Sequence, residues 1–391
     1  MSLELVAAAL AAFVLLMPSA DLALLAFASM RPSRKSPPFR RPGPALSVLI
    51  AAHDEEAVIG HALARIAAVD PSVRAHVVAD NCSDRTAAIA AAAGACVHVR
   101  TDRLRPGKAA ALNRLIAEVL EEDHRAHAFA FLDADARPET GYFDGLREPI
   151  SRGARAVQAK NLVVGTTAPL TRLRELAFHL KCDLRPRAYD ALGLSVGLHG
   201  NGMCLTREIL RRYLWDERSV VEDGELHLRL VRDGIRVALA PNATVRSPMP
   251  TTFGEGAGQA VRWERGKVDL LADAFRLMRV GLSSRRLDAI VAAYDVLIPP
   301  LSFLIAASGV LTVTALVMGS TPLLAVGGLA LAACAVYVGR GLALARLDLA
   351  SLLGLLTWSA PYLVWKVALF LGTVLGAGRG QWSQARPQAR E

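Results

Sequence analysis

The chain has 391 residues, enough for roughly two to three domain-sized units. With 53% hydrophobic and 21% charged residues and a mean hydropathy of +0.32, it is too apolar for a disordered chain or an ordinary soluble enzyme. Lysine and arginine total 45 against 36 acidic residues, and this net charge of +9 suits an anionic membrane surface, a phosphorylated ligand or nucleic acid.

Leu3 to Met30 is apolar apart from Glu4 and Asp21. At about 1.5 Å per residue it is long enough to cross a hydrocarbon core of roughly 30 Å. The start of the chain carries Glu4 and no Lys or Arg, unlike a cleaved signal peptide, so an uncleaved transmembrane anchor over residues 1–30 is expected. Arg31, Arg34, Lys35, Arg40 and Arg41 follow with no acidic residue, which places this flank in the cytoplasm and the N-terminus outside. Pro37, Pro38 and Pro42 make residues 31–44 a basic linker along the headgroups, ahead of a soluble domain that starts near Ala45.

Strand and helix then alternate. Leu46–Ala51, His76–Ala79, Cys96–Arg100 and Phe129–Leu132 are short apolar runs that read as strands. Val58–Ala68, Thr86–Ala93 and Lys108–Leu120 are helical patterns between them. This α/β order implies a parallel sheet covered on both faces, with ligands beyond the carboxyl ends of the strands. The polar clusters stand at those ends.

Phe131-Leu132-Asp133-Ala134-Asp135 runs an apolar strand into two carboxylates on one side of extended chain, a pair that suits Mg²⁺ or Mn²⁺ bridged to a diphosphate, or else a solvated turn. Asp80 ends the second strand, where an acid accepts hydrogen bonds from a nucleoside, and Asp84 reads as a local helix cap. Glu55, after the first strand, suits a base or ribose, or equally a first-turn helix charge. Lys108 follows Pro106-Gly107 at a helix start and can meet a phosphate as a point charge, although neither the upstream glycine nor the following Ser/Thr of a Walker motif is present.

Gly197-Leu198-His199-Gly200-Asn201-Gly202 lacks the spacing and position of a dinucleotide fingerprint and reads as a flexible pocket lining. Glu222 and Asp223 open a helix, either as ordinary first-turn acids or with Asp223 as a general base. Gln259, Arg262 and Trp263 stand at i, i+3 and i+4 on one helical face, where Trp can stack on a sugar and Arg can hold phosphate. A basic interfacial helix, with Arg265 and Lys267, is the other reading of that segment.

The last third is apolar again over Ala289–Met318, Thr321–Val338 and Leu349–Leu375. The first two read as a transmembrane hairpin. The third carries Lys366 beside Trp358, Tyr362 and Trp365, the mixture of a membrane interface. Three spans would put the basic tail, residues 377–391 with Arg379, Arg386 and Arg390, outside, against the charge rule, whereas two spans plus an interfacial or re-entrant segment keep it in the cytoplasm. The five cysteines form neither a CxxC pair nor a zinc cluster, consistent with a reducing compartment.

In their order these clusters resemble the family 2 glycosyltransferases, especially the membrane-embedded branch of cellulose, chitin and hyaluronan synthases. The resemblance covers roughly Leu46 to Lys267, and its most specific carrier is the Q-x-x-R-W motif of Gln259-Ala260-Val261-Arg262-Trp263. It implies a Rossmann-like GT-A catalytic domain over 45–255, an interfacial motif region over 256–286, and C-terminal membrane helices over 287–376. It further implies a UDP-sugar donor, a divalent Mg²⁺ or Mn²⁺ ion, an inverting reaction, and a multi-pass protein of the cell inner membrane.

Residue by residue, the resemblance puts Glu55 and Asp80 on uridine, Asp133 on the nucleotide, Asp135 on the metal and Asp223 on the acceptor proton. Lys108 and Arg262 would meet the diphosphate, with Glu222, Gln259 and Trp263 completing the acceptor side. The sequence departs from the family in His53-Asp54-Glu55, where Asn more often precedes Glu, and in having few membrane helices, so export of a polymer needs partner chains. The acceptor is expected to be a saccharide or a lipid-linked group; transfer to a polyprenyl phosphate and an inactive nucleotide-binding scaffold are the competing readings. Nucleic acid is not an expected partner, because the basic residues cluster beside apolar segments without a recognition helix.

Overall fold

The structure, a computed structural model, describes residues 3–31, 43–165, 168–216, 221–347 and 349–376. Most of the basic linker, and the tail beyond Gly376, lie outside the described residues. One eight-stranded mixed sheet organises the catalytic region, in the order β3-β2-β1-β4-β7-β6-β8-β5. The strands are β1 (Leu46–Ala52), β2 (Arg74–Asp80), β3 (Cys96–Arg100), β4 (Ala128–Phe131), β5 (Arg137–Pro138), β6 (Ala156–Val163), β7 (Met203–Thr206) and β8 (Val237–Ser247).

The first four strands are parallel, as the alternation of strand and helix predicts. Because successive side chains of a strand point to opposite faces, β1 feeds two cores. Leu46, Val48 and Ile50 pack with Ile59, Leu63 and Ile66 of the helix Ile59–Val69, whereas Leu49 packs with Leu112, Leu115 and Ile116 of the helix Lys108–Glu122. The parallel expectation ends at β4. Strand β7 runs antiparallel between β4 and β6, pairing Met203 with Phe131, and β5 runs antiparallel to β8. Antiparallel β7 has a direct consequence: its entry loop, 197–202, arrives at the end where β4 delivers Asp133, and Gly202 N–H donates to the Phe131 carbonyl (2.9 Å).

Among the described residues, four helices are long and apolar enough to cross a membrane: Glu4–Ala28, Leu301–Met318, Thr321–Ala345 and Leu352–Val374. The apolar run from Ala289 is not one span. Pro299 and Pro300 divide it, because proline has no N–H to continue a helix, into Leu287–Leu297 and Leu301–Met318. Ala289, Ala292 and Ala293 of the shorter helix pack on Leu228, Leu270 and Leu277 of the catalytic region instead.

The helix from Thr321 continues past Val338 to Ala345, and its Arg340 donates to the hydroxyl (3.0 Å) and carbonyl (3.3 Å) of Ser29, just after the helix Met17–Ala28. Partly buried polar groups tie these helices to the sheet-bearing region. Arg185 reaches Asp295 (2.6 Å) and Tyr337 Oη (3.1 Å), and Tyr189 Oη donates to Asp295 (2.8 Å).

Candidate active site

At the carboxyl ends of β1 and β2, the backbone is fixed by short polar contacts. Glu55 N–H donates to Thr86 Oγ1 (2.7 Å), and Asp84 accepts from Thr86 N–H (2.9 Å) and Glu56 N–H (3.0 Å), the local capping role its position suggests. Asp80 is not a free acid. Arg100 Nη1 lies 2.5 Å from its Oδ1, and Asn81 Nδ2 donates to the same oxygen (3.1 Å), with both ion-pair side chains 8% exposed. The pair ties the end of β2 to the end of β3.

The centre of the site is a cation with several acids around it. Gly107, at φ 124, turns the chain into the helix Lys108–Glu122, a conformation that an L side chain rarely adopts. Lys108 Nζ then lies 2.5 Å from Asp133 Oδ1. Burial works against the lysine charge, but Asp133, Glu222 and Asp223 outweigh it and raise its pKa above the ordinary value. Asp133 N–H donates to Asn201 Oδ1 (3.2 Å), and buried Asn201 donates in turn to Asn161 Oδ1 (3.3 Å) and Ser247 Oγ (3.0 Å). Gly200, at φ +68, lies so near Asp223 that a Cβ there would meet Oδ2 at 3.4 Å. Asp133, Lys108, the 197–202 loop and Asp223 are therefore brought together from four separate segments.

Glu222 and Asp223 begin the helix Glu222–Arg232. Burial raises the pKa of both; for Glu222 the adjacent Asp223 raises it further while Lys108 opposes, and for Asp223 the strongest opposing groups are Lys181, the Gly224 N–H and Lys108. A carboxylate raised in this way is a stronger base than an exposed one. His199, between Gly197 and Gly200, is neutral: burial, then Lys181, brings its pKa down to about 3, and its Nδ1 is buried without a hydrogen-bond partner among the described residues.

The turn Asp133–Ala134–Asp135, closed by Ala136 N–H donating to the Asp133 carbonyl (3.0 Å), presents two hard oxygen donors. No third metal-ligating side chain joins them among the described residues. The one such group of three is Asp54, Cys82 and Asp84, at the β1–β2 edge, where Ser83, Thr86 and Glu56 already donate to the carboxylates. One or two carboxylates completed by substrate phosphates is the ordinary mode for Mg²⁺ and for Mn²⁺, so the donor set fits the ion.

Gln259, Arg262 and Trp263 lie on the helix Phe253–Asp269, capped by Thr252, whose side chain accepts from Glu255 N–H (3.3 Å). The end of this helix abuts the one bearing Asp223: a Cβ on Gly224 would meet Leu270, the residue that caps it, at 2.8 Å. Gln259 Oε1 is buried without a partner, and Arg262 makes no hydrogen bond or ion pair among the described residues. Trp263 is 41% exposed, with its ring 6.0 Å from that of Phe178.

Sequence reasoning missed the supports of this arrangement, namely Arg100 behind Asp80, Asn201 behind Asp133, Lys181 beside Asp223, and the Glu264–Lys366 pair (2.5 Å) behind Trp263. Only Asn201 carried a signal, its place between two glycines.

Residues 42–266, more than half of the chain, match the family model described as glycosyltransferase like family 2. A probable glycosyltransferase, YdaM of Bacillus subtilis (strain 168), is 28% identical over 256 residues, covering 60% of this chain and 59% of that protein. A probable glucomannan 4-beta-mannosyltransferase 7 of Oryza sativa subsp. japonica is 29% identical over 147 residues, 36% of this chain and 25% of that one. The chain thus aligns with less than two thirds of the length of either relative. Among solved structures, the mannosyltransferase PcManGT from Pyrobaculum calidifontis, in complex with GDP-Man and Mn²⁺, superposes with a TM-score of 0.57 over 96% of this chain and 100% of that one, at 17% identity, which shows a shared fold. With the family model spanning the sheet, Asp133, Asp223 and most of the motif helix, the chain belongs to the family 2 glycosyltransferases and has a GT-A fold.

Proposed function

We propose that this enzyme moves a sugar from a UDP-sugar to a saccharide or lipid-linked acceptor at the cytoplasmic face of the membrane, with inversion at the anomeric carbon. The observation that carries this reading is the convergence on Lys108, whose ammonium touches Asp133 on the donor side and lies within the fields of Glu222 and Asp223 opposite.

Glu55 and Asp80 line the nucleoside end, with Asp80 paired to Arg100. Asp133 and Asp135 would hold Mg²⁺ or Mn²⁺, which when bound supplies positive charge to the diphosphate. Lys108 and Arg262 add positive charge there from the protein. Asp223 takes the proton of the acceptor hydroxyl as its oxygen bonds to the anomeric carbon; the bond from that carbon to the diphosphate breaks, and UDP departs with the electron pair. Glu222 keeps the charge balance of Lys108, Gln259 offers its unpartnered oxygen to a hydroxyl donor, and Trp263 offers a sugar-stacking plane beside Phe178.

In the membrane, the helix Glu4–Ala28 and the pair Leu301–Met318 and Thr321–Ala345 serve as spans. The helix Leu349–Val374 lies along the surface. Its Trp365, Lys366 and Phe370 meet Phe253, Glu264 and Phe303, which ties it to the motif helix and to the first turn of Leu301–Met318. Polymer or export partners, where the product is a polysaccharide, would supply the missing channel. Full-length protein in membranes, given a panel of UDP-sugars and GDP-mannose with and without Mn²⁺, should release nucleoside diphosphate in a metal-dependent way. No release from any donor by folded protein would overturn the proposal.

A further inference from the structure

We propose that Gln158 is a positioning residue for the transfer: with both ends of its carboxamide it clamps the 197–202 loop, and that loop sets the spacing between the donor-side acid Asp133 and the base Asp223. The roles of those two acids rest on the sugar-transfer reading. The clamp itself is geometry.

Gln158 is fully buried in β6, in register with Met203 of β7. A buried carboxamide has an acceptor and two donor hydrogens to satisfy. Its Oε1 accepts from His199 N–H (3.0 Å), and its Nε2 donates to the carbonyls of Asn201 (3.0 Å) and Ala159 (2.9 Å). Only one orientation of the amide meets all three partners. Gln158 therefore grips the loop on either side of Gly200. The loop is closed further by Asn201 N–H donating to the His199 carbonyl (2.7 Å), and Gly202, at φ +81, sits so near that a Cβ there would meet Gln158 Nε2 at 3.4 Å.

The two residues at the centre of the clamped segment face the two sides of the reaction. Gly200 borders Asp223, whose Oδ2 a Cβ at 200 would meet at 3.4 Å. Asn201 Oδ1 accepts from Asp133 N–H (3.2 Å). The Asn201 amide cannot turn over without losing its own partners, Asn161 Oδ1 (3.3 Å) and Ser247 Oγ (3.0 Å), both from buried residues. Neighbouring Cα atoms are held about 3.8 Å apart by the peptide bond. Base and donor-side acid are thus spaced by two adjacent residues of one loop, and releasing that loop shifts both. Reacting groups tolerate little of this, since a displacement of about 1 Å costs roughly a hundredfold in rate.

The test is a pair of double-mutant cycles on full-length protein. Gln158→Leu keeps the bulk of the side chain and removes all three hydrogen bonds. It should weaken Mn²⁺-dependent UDP binding, measured by calorimetry, and lower kcat for transfer, each by about tenfold or more. In an Asp133→Asn background the same substitution should change UDP binding by no more than about twofold, and in an Asp223→Asn background it should change kcat by no more than about twofold. A side chain that only stabilised the fold would cause equal losses in every background. Ser247→Ala, which frees one donor contact of the Asn201 amide, carries the same UDP-binding cycle with a smaller effect, and decides the matter where thermal unfolding shows that Gln158→Leu is not folded. Wild-type binding and turnover in folded Gln158→Leu, or losses that persist undiminished without Asp133 and Asp223, would overturn the clamp. A wild-type protein that transfers no sugar would sink the transfer reading alone, because the UDP-binding cycle still reports on Gln158 and Asp133.

Discussion

Gly266 of the motif helix packs directly on Val221, so a methyl group at 266 would occupy the space of the valine side chain. Val221 is the residue from which the helix of Glu222 and Asp223 starts. The motif helix therefore sets the position of the base through a backbone contact that only glycine permits. Gly266→Ala should displace Asp223 by a fraction of an ångström or more. Misplacement on that scale costs up to roughly a hundredfold in rate. The expected result is a large fall in kcat with UDP affinity unchanged. Gly254→Ala on the same helix, which has open space around it, serves as the control and should leave both unaltered.

Asp223→Asn keeps the shape of the side chain and removes its basicity. Base catalysis is worth about 10² to 10⁴ in rate, so transfer should fall by that amount. UDP binding, measured by calorimetry, should stay near normal because Asp133, Lys108 and Asp80 are untouched. Turnover equal to that of the wild type would remove Asp223 from the mechanism.

The acid side of the pH profile follows from the same pair. The pKa values of adjacent Glu222 and Asp223 are both raised, by burial first and, for Glu222, by the neighbouring Asp223 as well. A base acts only when unprotonated, so kcat/KM should fall as pH drops through the raised value, at a higher pH than the ordinary 3.8 of an aspartate. Glu222→Gln removes one negative charge and should move that limb to lower pH. A limb that does not move would show that the two carboxylates titrate independently.

How far the sequence could be read depended on the range of the contacts involved. Strands β1 to β4 and the placement of Asp80 and Asp133 at their ends follow from local apolar runs that stop at polar residues. The antiparallel entry of β7 does not, because Met203–Thr206 is four residues long and its direction is set by partners on β4 and β6. The Pro299-Pro300 break was visible as a dipeptide, but the apolar run across it masked its effect. Lys181 gave no signal at all, since its place depends on a π turn and on Asp223, which comes from a distant segment.

The Glu264–Lys366 pair joins partners 102 positions apart, directly after Trp263 and in the middle of the apolar helix Leu349–Val374. The side chains are 11% and 18% exposed, 2.5 Å apart, so each depends on the other for its counter-charge. Lys366→Ala leaves Glu264 buried and unpaired, which costs roughly 3 to 5 kcal/mol when one partner of such a pair is removed. Thermal unfolding in detergent should show that loss. Because Glu264 follows Trp263 on the same helix, transfer should fall as well, with donor affinity preserved. The reversed pair, Glu264→Lys with Lys366→Glu, should recover part of the stability, whereas either reversal alone should not. If Lys366→Ala unfolds at the wild-type temperature and transfers sugar at the wild-type rate, the pair has no part in holding the motif helix, and other contacts, among them those of Phe253 with Trp358 and Trp365, hold the helix Leu349–Val374 against it.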